Sequence, residues 1–225
     1  MPEFKTLNAI VLGAKALGEN AFVLSLLTHE NGRHLGVLKR KNPPQIGDIV
    51  QAKWNARLPE QMGTFYIENV HSTAAPNLDD IGRLNCLSCL CELLNTTLPE
   101  RQPQEKFYEK VFLFLNELSN EDYLKHYVLL EKDLLAVLGF GLDLSACAGG
   151  GDKNDLAYVS PKTGRAVSRE KGAPYQKQLL PLPHFLWKEE AATQKDIQLG
   201  LALTGYFLRG HTIKGSLPQI RQFLK

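Results

Sequence analysis

Residues 139–183 read GFGLDLSACAGGGDKNDLAYVSPKTGRAVSREKGAPYQKQLLPLP and interrupt a C-terminal half that is otherwise helical in pattern. Gly149, Gly150 and Gly151 loosen the backbone, Pro161 and Gly164 bracket Lys162 and Thr163, and Pro174, Pro181 and Pro183 each lack a backbone donor. No regular helix accommodates that spacing. Two short runs, Leu156 to Ser160 and Arg165 to Ser168, flank a Pro-x-x-Gly turn and predict a small hairpin. So long a structureless loop is unusual inside a compact domain, so the segment is expected to be ordered or to carry a function.

On either side of this insert the hydrophobic period is that of helices. Ile81, Leu84, Leu87, Cys91, Leu94 and Leu98 form one apolar stripe, Phe107, Val111, Phe112, Leu115 and Leu118 a second, and Tyr123, Tyr127, Leu130, Leu134 and Leu138 a third that Gly139 should cap. Beyond the insert, Thr193-x-x-Asp196 is a capping signal for a helix running to Gly210, and Ser216 precedes a last short helix with Ile220 and Phe223 inward.

Ahead of Ala75-Pro76-Asn77 the period changes to that of strands. Asn8–Gly13, Ala21–Thr28, Leu35–Lys39, Gly47–Trp54 and Thr64–Val70 are short, apolar and separated by turn residues, with Asn31-Gly32 as a hairpin signal. Phe22, Leu24 and Leu26 share one face of the second strand, as Phe65 and Ile67 do on the fifth. Five strands in so few residues suit a small barrel of the OB type, although an SH3-like barrel has similar length and strand count. The expected class is therefore α+β: an OB-type barrel over residues 1–76, then a helical domain over 77–225 that contains the insert 139–183.

The phrases YVSPKTGRAVS, Gly-x-Pro-Tyr and LLPLP, in that order and spacing, resemble the RecO family of bacterial recombination and repair mediators. The resemblance implies an N-terminal OB barrel and a helical domain, binding of single- and double-stranded DNA, and annealing of complementary strands. It also implies two partners, RecR and the single-stranded-DNA-binding protein, and with them a place on the nucleoid; a cytoplasmic location is expected from the residues themselves, which offer neither a membrane span nor a leader and whose four cysteines suit a reducing compartment. Some similar proteins hold zinc with four cysteines in the insert; this chain has only Cys147 there.

Charge is segregated in a way that a net +2 conceals. Residues 33–57 hold six basic residues against one acid, residues 162–177 five against one, and residues 209–225 four against none, whereas residues 78–146 hold six against twelve acids. Such concentration is the footprint of a polyanion binder. Arg33, His34, Lys39, Arg40, Lys41, Lys53 and Arg57 on the barrel, with Lys162, Arg165 and Arg169 in the insert, are the expected DNA contacts. Trp54 and Tyr66 are candidate stacking platforms, with the alternation of its strand favouring the core for Trp54. Arg209, Lys214 and Arg221, with Leu217, Ile220 and Phe223 nearby, are expected to receive the acidic-hydrophobic tail that the resemblance gives the single-stranded-DNA-binding protein.

Cys86, Cys89 and Cys91 lie at helical offsets that diverge around an axis, so they predict buried thiols and no zinc site. No phosphate loop, Gly-x-Ser-x-Gly or His-Glu-x-x-His is present, and neither enzymatic activity nor a cofactor is expected. No apolar run is long enough for a membrane span, and MPEFKTLNAI does not read as a leader. The competing class is a protein-interaction scaffold or an RNA-binding module built on the same barrel.

Overall fold

The computed structural model describes residues 2–210 and 217–224. Five strands, β1 (Glu3–Ala16), β2 (Phe22–Thr28), β3 (Gly32–Leu38), β4 (Ile49–Asn55) and β5 (Thr64–His71), pair in the order β1-β2-β3-β5-β4 and close on themselves through β1 and β4. The link that brings β5 beside β3 is a short parallel one, Val37 with Thr64 and Leu38 with Phe65. That order is the OB arrangement. Ala9, Val11, Leu24, Leu26, Leu38, Val50, Ala52, Trp54 and Phe65 fill the interior.

β1 is longer than the expected Asn8–Gly13 because it serves two neighbours. Its first half pairs with β4, Glu3 opposite Asn55, and its second half with β2, Ala16 opposite Phe22. Register shifts between Thr6 and Ala9 and between Val11 and Gly13 let one strand turn the corner. The β2–β3 turn falls at His29-Glu30-Asn31, where the Thr28 hydroxyl donates to the Gly32 carbonyl and accepts from the Asn31 N–H.

Contacts divide the chain into two compact units, one of residues up to Tyr123 with Pro218–Leu224, the other Leu124–Leu217. In the first unit α1 (Ile81–Thr97) packs against β1, and the Tyr108 hydroxyl of α2 (Glu105–Asn116) donates to the Asn8 carbonyl. α1 lies against β1, and Ile10, Leu12 and Leu27 are buried as well as Val11 and Leu26. This double burial explains the unbroken apolar runs of those strands. α1 is itself buried on nearly every side from Cys86 to Leu94, wider than one stripe, while Ile81 is exposed. A 3-10 turn, Gln219–Phe223, returns to α1; Phe223 faces solvent there, against the expected inward position, and Ser216 lies outside the described residues.

The second unit holds α3 (Tyr123–Val137), α5 (Gln194–Arg209) and the insert. Gly139 ends α3 at φ 86°, and the Phe140 N–H reaches the Leu135 carbonyl in the 6→1 closure such a cap allows. Thr193 and Asp196 cap α5 reciprocally. α3 and α5 are joined in the core by the Thr204 hydroxyl, which donates to the buried Glu131 carboxylate.

Candidate nucleic-acid interface

The basic residues of the barrel separate into three environments. Lys39, Arg40 and Lys41 follow β3 on an exposed loop whose base is pinned where the Asp48 carboxylate accepts the Gln45 N–H at 2.8 Å. Burial holds the Asp48 carboxyl above the usual range in spite of that bond. The three cations, together with Arg57 on the β4–β5 loop, are exposed and have no carboxylate partner among the described residues. Lys53 points outward from β4 and pairs with Glu3 at 3.2 Å. Its register neighbours are Lys5 on β1 and Tyr66 on β5, so Lys5, Lys53 and Tyr66 form an exposed row across three strands. Lys5 lies ahead of the strand predicted from Asn8, where the register shift between Thr6 and Ala9 breaks the alternation.

Two expected contacts are committed elsewhere. The Arg33 guanidinium donates to the Leu98 carbonyl at 2.7 Å and meets Glu100, with most of its side chain covered. His34 is only 5% exposed and sits edge-on between Phe4 and Trp54. Burial, helped by the Arg101 charge, lowers its pKa to about 4, so the ring is neutral and inaccessible. Trp54 is core, its indole N–H donating to the Met62 carbonyl. Arg101 emerges instead as a positioning residue: at φ 59° it donates to the Pro59 and Gln61 carbonyls and shapes the β4–β5 loop.

In the insert, β6 (Leu156–Val159) and β7 (Ala166–Ser168) form the expected hairpin, and β8 (Leu180–Pro181) adds an edge strand beside β6. Gly164, at φ 68°, closes the four-residue turn that carries Lys162 at its tip. Arg165 pairs with Asp143 at 3.4 Å and Arg169 with Asp155 at 3.2 Å, both in the open. Leu156, Val159, Ala166, Leu182 and Phe185 form the buried apolar base of this region, whereas Tyr175 is 59% exposed. Lys162, Arg165, Lys171 and Tyr175 line a cleft of about 470 Å³.

A family model described as Recombination protein O C terminal matches residues 78–219. The chain is 42% identical to DNA repair protein RecO of Rhodospirillum rubrum, over 95% of this chain and 91% of that protein. It is 44% identical to DNA repair protein RecO of Rhodospirillum centenum, over 91% and 85% respectively, and 39% identical to that of Methylocella silvestris, over 89% and 84%. The chain belongs to the RecO family.

In this RecO-family chain Cys86, Cys89 and Cys91 are buried along α1, where burial pushes the Cys91 thiol up to about 12. Among the described residues no three His, Cys, Asp or Glu side chains are grouped to hold a metal ion. Cys147 is different. Burial alone would raise its pKa, but the hydrogen-bonded surroundings bring it down to about 7: the thiol shares a hydrogen bond with the Ser168 hydroxyl oxygen, to which it donates at 3.5 Å, and the sulfur is stabilised by the backbone of Ser168, Gly151 and Gly149. Two of the three glycines thus serve the sulfur, while the Gly150 N–H donates to the Cys147 carbonyl at 3.1 Å.

Of the expected partner residues, Arg209 ends α5 in one compact unit and Arg221 lies in the other, and Lys214 is outside the described residues. A second cleft of about 390 Å³ runs between α3 and residues 185–189, lined by Lys125, His126, Lys132, Lys188, Phe185 and Trp187. Lys188 Nζ lies 4.5 Å from the Trp187 ring centroid. Among the described residues no helix is long and apolar enough to cross a membrane.

Proposed function

We propose that this chain is a non-catalytic mediator of DNA repair that binds single- and double-stranded DNA and anneals complementary strands, working with RecR and the single-stranded-DNA-binding protein in the cytoplasm, on the nucleoid. The observation that carries the reading is the exposed run Lys39-Arg40-Lys41, free of carboxylates among the described residues, on the barrel of a RecO-family chain. Two single strands repel one another through their phosphates, and exposed cations without built-in counterions are what lowers that barrier. Arg57 and the Lys5, Lys53, Tyr66 row extend the same chemistry, charge for phosphates and a ring for a base. The division of labour follows the change of period: residues 1–76 bind DNA, and residues 77–225 add partner contacts and, through the insert, further DNA contact at Lys162, Arg165 and Arg169.

The cleft beside α3 is better suited than Arg209 and Arg221 to an acidic tail with a hydrophobic end. Along it Lys125, Lys132 and Lys188 outnumber the single carboxylate Glu189 and stand beside buried Phe185 and half-buried Trp187, so charge steers and the apolar floor holds.

Mixing two complementary labelled oligonucleotides with the protein tests the reading. Hybridisation should be accelerated over the spontaneous rate, and affinity for either strand should fall steeply as salt rises. Absence of acceleration, or binding that salt does not weaken, would overturn it.

A further inference from the structure

We propose that the insert cleft holds one unstacked nucleotide of single-stranded DNA, its base on Tyr175 and its phosphate at Lys162; this rests on the DNA-binding reading above and adds a site that discriminates single strands from duplex. Tyr175 lines the cleft and is 59% exposed, which leaves its ring open to a stacking partner. Its backbone is held firmly. The Ser168 side chain caps the single turn α4 (Arg169–Gly172), which runs directly into the 3-10 segment Ala173–Gln178 that carries the ring. Val167 and Leu179 supply apolar walls, and no carboxylate lines the cleft.

The charges around it favour a phosphate. Lys162 is exposed at the hairpin tip without an ion-pair partner among the described residues. Arg165 faces Asp143 and Lys171 faces Glu170 at 3.3 Å, but both pairs are solvent-exposed, and such pairs are weak enough to yield to a phosphate. A volume of about 470 Å³ lies within the range of small-ligand sites, roughly 300–1,000 Å³. Bases of a duplex are stacked and paired, so only an unpaired base can lie on the ring.

Affinities of oligo-dT and of a blunt duplex of the same length, measured for the full chain and for Tyr175→Ala, Tyr175→Phe and Lys162→Ala, test the site. Tyr175→Ala should weaken oligo-dT binding roughly five- to hundredfold and leave the duplex within about twofold, Tyr175→Phe should behave as wild type, and Lys162→Ala should flatten the salt slope on oligo-dT by about 0.7. Equal losses on both DNA forms, or none on oligo-dT, would overturn the inference and leave the broader reading intact. So would an acidic peptide, ending in a hydrophobic residue, that depends on Tyr175 and Lys162 while oligo-dT does not. A wild-type chain that binds neither DNA form would bring down the proposed function and the cleft with it.

Discussion

The neutral imidazole of His34 makes stability depend on pH. Both ring nitrogens are buried without a hydrogen-bond partner among the described residues, and the folded pKa of about 4 lies below the ordinary 6.5. Between those values the unfolded chain takes up a proton that the folded chain refuses, so stability is kept above pH 6.5 and lost as pH falls toward 4, by about 3 kcal/mol over the whole window. His34→Leu removes the titration and two unsatisfied polar atoms. Urea unfolding at pH 7.5 and 4.5 should show a smaller drop for the variant than for wild type, and parallel pH dependences would show that the ring is not the sensor. The burial was legible in principle: His34 is four residues from Leu38 and shares its face, and only a strand begun at Leu35 hid the parity. Arg33 was less legible, because its partner Leu98 is distant in sequence and a carbonyl leaves no mark in composition.

Among the elements, the insert is organised by hydrogen bonds to a sulfur as much as by apolar packing. Cys147 Sγ accepts the Ser168 N–H at 3.2 Å, and the Gly149 and Gly151 N–H groups also point to it. Cys147→Ala leaves these donors without an acceptor and should cost about 1–3 kcal/mol, whereas Cys147→Ser, which keeps an acceptor, should cost less. Denaturant midpoints rank the two; equal losses would mean that the volume of the sulfur matters and its bonds do not. The hairpin and the caps at Gly139 and Thr193 were readable because each depends on neighbours in sequence. β8 was not, since Pro181 argues against a strand interior and is tolerated only because β8 is an edge, with the Leu182 N–H reaching the Ala157 carbonyl. The length of β1 was hidden for a related reason: the register shifts that let it serve two neighbours break the alternation a strand is recognised by.

For the molecule as a whole, what matters is which cations remain available once the fold has used the others. Arg33 is spent on Leu98 and Glu100, His34 is in the core, and Lys53 leans on Glu3, while Lys39, Arg40 and Lys41 are exposed and uncommitted among the described residues. Two variants separate these roles. Replacing Lys39, Arg40 and Lys41 together with alanine should flatten the slope of log affinity against log salt by about 2 on single strands, at roughly 0.7 per lost phosphate contact. Its melting temperature should hardly move, because exposed substitutions away from structural contacts stay within about 0.5 kcal/mol. Arg33→Ala should do the reverse, costing about 1–3 kcal/mol through the carbonyl left without its donor while keeping the salt slope. If the triple variant retains the wild-type slope, or Arg33→Ala flattens it as much as the triple change does, the uncommitted loop is not where the barrel meets phosphate.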